Sequence, residues 1–198
     1  MSANVIVVGP RDKDIPKNVE VISTVSKSKS SFWRQLSPFL LGPCKLWGGH
    51  VSRNMENGWQ YSKVYSEFED GGLGHPTKRW LVWAKEGWDC QRAIRYPMGK
   101  GVSPEYSWWD GKSYDYVQAR AKIYIPLYAR AVAKTEAFSE LRRMYKEHDE
   151  IWLWDFDGYD RRKFGMSLID VLTCTNKKMG HAFVLAMMLK WGKNFWRR

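Results

Sequence analysis

The stretch Asn54-Met55-Glu56-Asn57-Gly58-Trp59-Gln60-Tyr61-Ser62-Lys63 sets Glu56, Gln60 and Lys63 at i, i+4 and i+7, the spacing that lines side chains along one stripe of a helix. A carboxylate, an amide and an ammonium on one face, with Trp59 beside them, suit a polar sugar or nucleotide better than a core. Asn54 reads as the N-cap of a helix running to about Glu67, and Glu56 in its first turn suits the positive end of the helix dipole. Gly58 inside that helix costs on the order of 1 kcal/mol relative to Ala, which points to close packing or ligand approach there. The same stripe also suits an ordinary solvated helix face, with Glu56 serving the dipole and Lys63 in water.

Working outward, residues 4–8 and 19–25 are rich in Val and Ile and read as strands, separated by a Gly9-Pro10 turn and a charged loop. Residues 26–31 form a polar loop that carries Lys27 and Lys29. Residues 32–41 are apolar but interrupted by Pro38, so Leu36-Ser37-Pro38-Phe39 is expected in a turn. Residues 69–106, rich in Gly, Pro and aromatics, read as irregular loops with one short strand at 79–84. Residues 113–125 are helical in composition, with Pro126 ending or kinking the helix. A helix over 129–145, a buried strand over 151–156, a segment at 168–173 and a last helix over 180–195 complete the chain. No repeat and no domain boundary stands out. The expected fold is one α+β domain over residues 1–198, mainly helical with a small sheet; residues 1–18 form an N-terminal strand and loop and 19–198 the core.

Composition narrows the function classes. The 198 residues carry 32 Lys and Arg against 21 Asp and Glu, a formal net charge of +11, and include 12 Trp. A basic excess attracts polyanions, and Trp offers a flat surface for stacking on bases, although most Trp residues fill cores. Cys44, Cys90 and Cys174 are odd in number, widely spaced and without a C-x-x-C, a pattern that disfavours a disulfide framework or a zinc site and fits a reducing cytosol. The four histidines show no ligand spacing. No basic and apolar leader and no membrane-length apolar run is visible, so a soluble, cytoplasmic protein without a membrane partner is expected. No G-x-x-x-x-G-K-[ST] phosphate loop is present. Asp155-Phe156-Asp157-Gly158 matches the signature of haloacid-dehalogenase-type phosphatases, but only about 40 residues follow it, too few for the Rossmann-like region that chemistry requires.

Taken in order, the strand at 19–25, Leu36-Ser37-Pro38-Phe39 and then Glu56-x-x-x-Gln60-x-x-Lys63 resembles the NADAR family (NAD- and ADP-ribose-associated proteins). The resemblance continues loosely through Lys134 ahead of Leu141 and Met144, the strand ending in Asp155 and Asp157, and Gly180-His181-Ala182-Phe183-Val184-Leu185. Four positions depart from the family pattern: Pro38 stands for Asn, Asn57 for His, Thr135 for Phe, and the final motif lacks its Asn. The resemblance implies a NADAR-like fold and an N-glycosidase acting on an ADP-ribosyl or ribose-phosphate substrate without cofactor or metal. Breaking a C1′–N bond develops oxocarbenium character that a carboxylate stabilises while activating water. Glu56 is the candidate for that role and Asp155 or Asp157 the second carboxylate. Lys63, with Lys27, Lys29 or Arg53, would neutralise phosphates; Gln60 would bond a ribose hydroxyl; Trp59 or Trp109 would stack on the base. Ser37, Phe39 and Asn54 complete the substrate-binding set. The charge makes nucleic acid an expected partner, for example through removal of ADP-ribose from a modified base. A catalytically silent binder of ADP-ribose or nucleotide, and a basic nucleic-acid-binding protein, are the other readings these residues allow.

Overall fold

The computed structural model describes residues 3–72 and 74–197. In chain order, strands β1 (Asn4–Val8), β2 (Val21–Ser23), β3 (Cys44–Lys45) and β4 (Val51–Ser52) precede helix α1 (Met55–Gln60). Then come β5 (Lys63–Val64), α2 (Lys78–Asp89), β6 (Tyr106–Trp109), β7 (Lys112–Tyr114) and α3 (Tyr116–Ala119). A π-helical turn (Arg120–Tyr124) leads into α4 (Ile125–Val132), followed by α5 (Glu136–Glu147), β8 (Glu150–Trp154), α6 (Leu168–Thr173) and α7 (His181–Trp191). The fold class is α+β. Among the described residues no helix is long and apolar enough to cross a membrane. The chain forms two compact units, Met1–Pro38 with Tyr128–Arg198, and Phe39–Leu127.

The first unit is built on a parallel sheet of order β1-β8-β2. Its register runs from Asn4 opposite Glu150 to Val8 opposite Trp154, and from Val21 opposite Trp152 to Ser23 opposite Trp154. The pleat sends Ile6, Val8 and Trp152 to one face, where Ile15, Val19 and Val21 pack on them. Val5, Val7, Ile151 and Leu153 point the other way and are buried too, the two-sided burial typical of parallel strands. Helix α7 packs on β1, α5 and α6. Every residue from His181 to Leu189 is buried, as a helix apolar all round must be.

The second unit holds two small antiparallel sheets, β3-β4 and β5-β6-β7. Its core gathers Tyr61, Val64, Tyr65, Phe68, Trp80, Ala84 and Trp88. Trp83 lies with its ring centroid 4.6 Å from Tyr61 and 5.0 Å from Phe68, and the Trp80 indole N–H donates to the Lys63 carbonyl at 2.9 Å. Trp80 and Trp88 are thus core residues, each at most 2% exposed.

Five segments differ from the sequence expectation. Ser113 and Tyr114 lie in strand β7, and the helix expected from 113 begins at Tyr116. Residues 79–84 lie in helix α2, not in a strand, and Trp80, Ala84, Gly87 and Trp88 form its buried stripe. Helix α1 stops at Gln60, and Lys63 and Val64 leave it as a strand that pairs with β6. Pro126 does not end its helix: it lies in the first turn of α4. A proline without an N–H would remove one turn's bond and press on the carbonyl four residues back; the π turn just before it widens the backbone, with Ile125 N–H reaching Arg120 O. The helix expected over 129–145 is broken after Val132, because the Thr135 hydroxyl accepts from Phe138 N at 3.1 Å and starts α5.

Two outcomes test this core. A Cβ on Gly87 would lie 2.1 Å from carbons of the Tyr61 ring. Gly87→Ala therefore lowers stability by about 1–3 kcal/mol in urea unfolding, against the roughly 1 kcal/mol of helix propensity that Ala brings. Burial pushes the Tyr65 phenol up to about 12, with Tyr61 nearby adding to it. Burial, then Glu69 and Asp70, does the same to Tyr106, also to about 12. In the unfolded chain such phenols ionise near pH 10. The stability held in the neutral phenols is complete below pH 10 and is lost as pH rises towards 12. Urea midpoints measured across that window fall with pH, and tyrosinate absorbance rises together with unfolding.

Candidate functional site

Helix α1 is only six residues long, and all six are buried. Its start is fixed by Asn54, whose side-chain oxygen accepts from Asn57 N at 2.8 Å. Asn57 then holds the segment after α2. Its amide nitrogen donates to Cys90 O and Arg92 O, both at 2.9 Å, and its oxygen accepts from Ile94 N at 2.8 Å. Asn54 adds longer donations to Cys90 O and Gln91 O. A Cβ on Gly58 would come within 3.0 Å of Leu127 and 3.1 Å of Leu46, so close side-chain packing accounts for glycine in this helix.

The polar stripe lies inside the unit, not on a solvent face. Glu56 is 5% exposed and Gln60 7%. The Gln60 amide nitrogen donates to Glu56 Oε1 at 2.9 Å, and Lys63 Nζ donates to Gln60 Oε1 at 2.6 Å. Although Lys63 is off the helix, the three residues meet as one chain running from ammonium through amide to carboxylate. Lys63 Nζ also lies 5.1 Å from the Trp59 ring centroid, and the Trp59 ring meets Tyr124 edge-on at 5.1 Å. Trp59 is 8% exposed, so its ring is largely packed inside the unit and offers little surface for stacking. A carboxylate is costly to bury unless hydrogen-bonded and charge-compensated, and this chain supplies the compensation.

No family model, curated protein or solved structure matches this chain. Its chemistry is therefore read from its own side chains.

Asp155 belongs to the first unit, at the end of the central strand β8. It is 3% exposed and its carboxylate is occupied. Oδ2 accepts from Ala182 N at 3.1 Å and lies 3.1 Å from His181 Nδ1; Oδ1 accepts from Asp157 N at 3.2 Å. The other ring nitrogen of His181 lies 2.9 Å from Thr24 O, so the ring bridges the Asp155 carboxylate and a backbone carbonyl. Asp155 thereby caps the N-terminus of α7 from outside the helix. At Gly180 a Cβ would stand 2.1 Å from Asp155 Oδ2; only glycine lets the carboxylate approach. Asp157 is half-buried.

The remaining predicted residues are scattered. Ser37 is buried in the first unit, directly after the short 3₁₀ turn Trp33–Leu36, while Phe39 opens the second. Arg53 pairs with Asp89 at the surface, at 2.8 Å, an exposed contact worth at most about 1 kcal/mol. Trp109 ends β6 opposite Lys112 in a hairpin. Among the described residues no group of three or more His, Cys, Asp or Glu is placed to hold a metal ion. One residue was not foreseen. Arg120, 2% exposed, opens the π turn, with its guanidinium 4.1 Å from the Tyr116 ring centroid. Arginine is rarely buried, and π turns recur at functional sites.

Replacing Asp155 by Ala strips α7 of its cap and His181 of its carboxylate. Denaturant unfolding is expected to show a loss of about 3–5 kcal/mol, with Asp155→Asn milder because it keeps the acceptor oxygen.

Proposed function

We propose that the chain is a NADAR-like N-glycosidase that hydrolyses an N-glycosidic bond in an ADP-ribosyl or ribose-phosphate substrate. The observation that most supports this is the buried Glu56 carboxylate, linked through Gln60 to the Lys63 ammonium. Away from bulk water, a fixed carboxylate acts strongly on positive charge developing beside it. As the C1′–N bond breaks, its electron pair leaves with the base and the ribose takes on oxocarbenium character. Glu56 stabilises that charge and takes a proton from water; the water oxygen bonds to C1′, and the leaving nitrogen gains a proton. Lys63 turns the Gln60 oxygen towards itself, which aims the amide NH₂ at Glu56 and holds the carboxylate in one orientation. The net charge of +11 supports a phosphorylated substrate, including ADP-ribose on a base in nucleic acid.

A second reading, a catalytically silent binder of ADP-ribose or nucleotide, is favoured by Asn57. Its amide is spent on residues 90–94 and it offers no group for proton transfer. The test is incubation with NAD, ADP-ribose and oligonucleotides ADP-ribosylated on guanine or thymine, read by mass spectrometry. Native protein is expected to release ADP-ribose, and Glu56→Gln to lose about a hundredfold or more of that rate while still binding ligand. Unchanged turnover in Glu56→Gln overturns the role of Glu56. Binding of ADP-ribose with no product from any substrate selects the silent binder.

A further inference from the structure

We propose that the cleft along β2 and the carboxyl end of β8, in the first unit, binds a nucleotide, with its base on aromatic rings and its phosphate at Lys27 and Lys29. The cleft has a volume of about 640 Å³, and its walls include Glu20, Lys27, Lys29, Trp33, Trp154 and Phe156. Sites for small ligands span about 300–1,000 Å³. Ser23 and Trp154, the last residues of β2 and β8, both line it. Glu20 and Val21, at the start of β2, line it as well, so the cleft runs along β2 to the carboxyl ends of the two strands, where open parallel sheets receive ligands.

The loop that carries the lysines is fixed, while their charges are not engaged. Thr24 donates to Trp154 O through both its N–H (3.1 Å) and its hydroxyl (2.9 Å). Ser28 N donates to Val25 O at 3.0 Å, Arg34 Nε to Ser28 O at 2.6 Å, and Trp33 N to Ser30 Oγ at 3.4 Å. Among the described residues Lys27 and Lys29 have no hydrogen-bond or ion-pair partner, whereas Lys163 is held by Asp12 and Asp14 and Arg162 by Asp160. Two unpaired ammoniums, two residues apart on a fixed backbone, suit a phosphate that draws both.

The aromatic wall supplies the other half of the ligand. Phe156 is 49% exposed, and its ring meets Trp154 edge-on at 4.9 Å. A base stacked there covers apolar surface that water now wets. Glu20 is acceptor-only, so it repels phosphate and suits ribose hydroxyls, which orients the nucleotide with its phosphate towards the lysines. The inference does not rest on Glu56 or on glycosidase chemistry. The same nucleotide chemistry arises from a free mononucleotide or from one unit of a single strand.

The test is tryptophan-fluorescence titration of the full chain with adenosine monophosphate, with an oligothymidylate of about ten nucleotides, and with inorganic phosphate. Nucleotide binding is expected, and Phe156→Ala weakens it about tenfold at every salt concentration, the scale of losing one stack. The double substitution Lys27→Ala, Lys29→Ala also weakens it, and for the oligonucleotide flattens the slope of log K against log[salt] by about 1.4. All three side chains are exposed, so circular dichroism is expected to stay unchanged. Adenosine monophosphate binding as tightly as the oligonucleotide assigns a free nucleotide, and binding of the oligonucleotide alone assigns a strand; either supports the cleft. Absence of nucleotide binding, indifference to these substitutions, equal competition by phosphate, or loss of binding in Glu56→Gln overturns it.

Discussion

The carboxylate of Asp155 ties together three parts of the first unit that are distant in sequence. It follows the central strand, it accepts from Ala182 N in the first turn of α7, and through His181 it reaches the carbonyl of Thr24 beside the end of β2. Helix α7 buries apolar surface on all sides, so its polar head must also be satisfied inside the protein. One carboxylate and one imidazole do this, and the glycine at 180 gives them room. The same junction ends in the Thr24–Trp154 contacts, from which the lysine loop and its cleft begin.

The second unit meets the same problem with neutral amides. Asn54 and Asn57 satisfy the start of α1 and the backbone of residues 90–94 in one network. That leaves α1 free to stay short and wholly buried, carrying Glu56 and Gln60 inward. A six-residue helix has almost no stability of its own; it persists because it is stapled at its head and packed on every side. The buried Glu56–Gln60–Lys63 chain is then specified by its surroundings and not by helical propensity.

Much of this was legible in the chain. The Val- and Ile-rich runs near residues 5 and 22 and the apolar run at 151 are strands, and the apolar segment after Gly180 is the central helix. Helical spacing accounts for the Glu56–Gln60 pair, whereas Lys63 joins it from strand β5, and the burial had no signal because a charged stripe on a short helix reads the same inside or out. Helix α2 was missed because its tryptophans and a glycine hid the i, i+4, i+7, i+8 spacing of Trp80, Ala84, Gly87 and Trp88. The Asp110-Gly111 pair, both with positive φ, was an unread hairpin signal between β6 and β7. The occupation of Asp155 by α7 had no local signature at all, since its partners lie more than twenty residues away.

The order β1-β8-β2 also bears on how the chain is made. The two amino-terminal strands do not pair with each other; both wait for β8, so residue 4 meets its partner only when residue 150 exists. At ribosomal speeds of about 5–20 residues per second, that interval is on the order of ten seconds. Throughout it, two Val- and Ile-rich segments have no sheet to join, a state exposed to wrong pairing. The three-residue length of β2 and the charged loop ahead of it limit what a stray strand can gain during that wait.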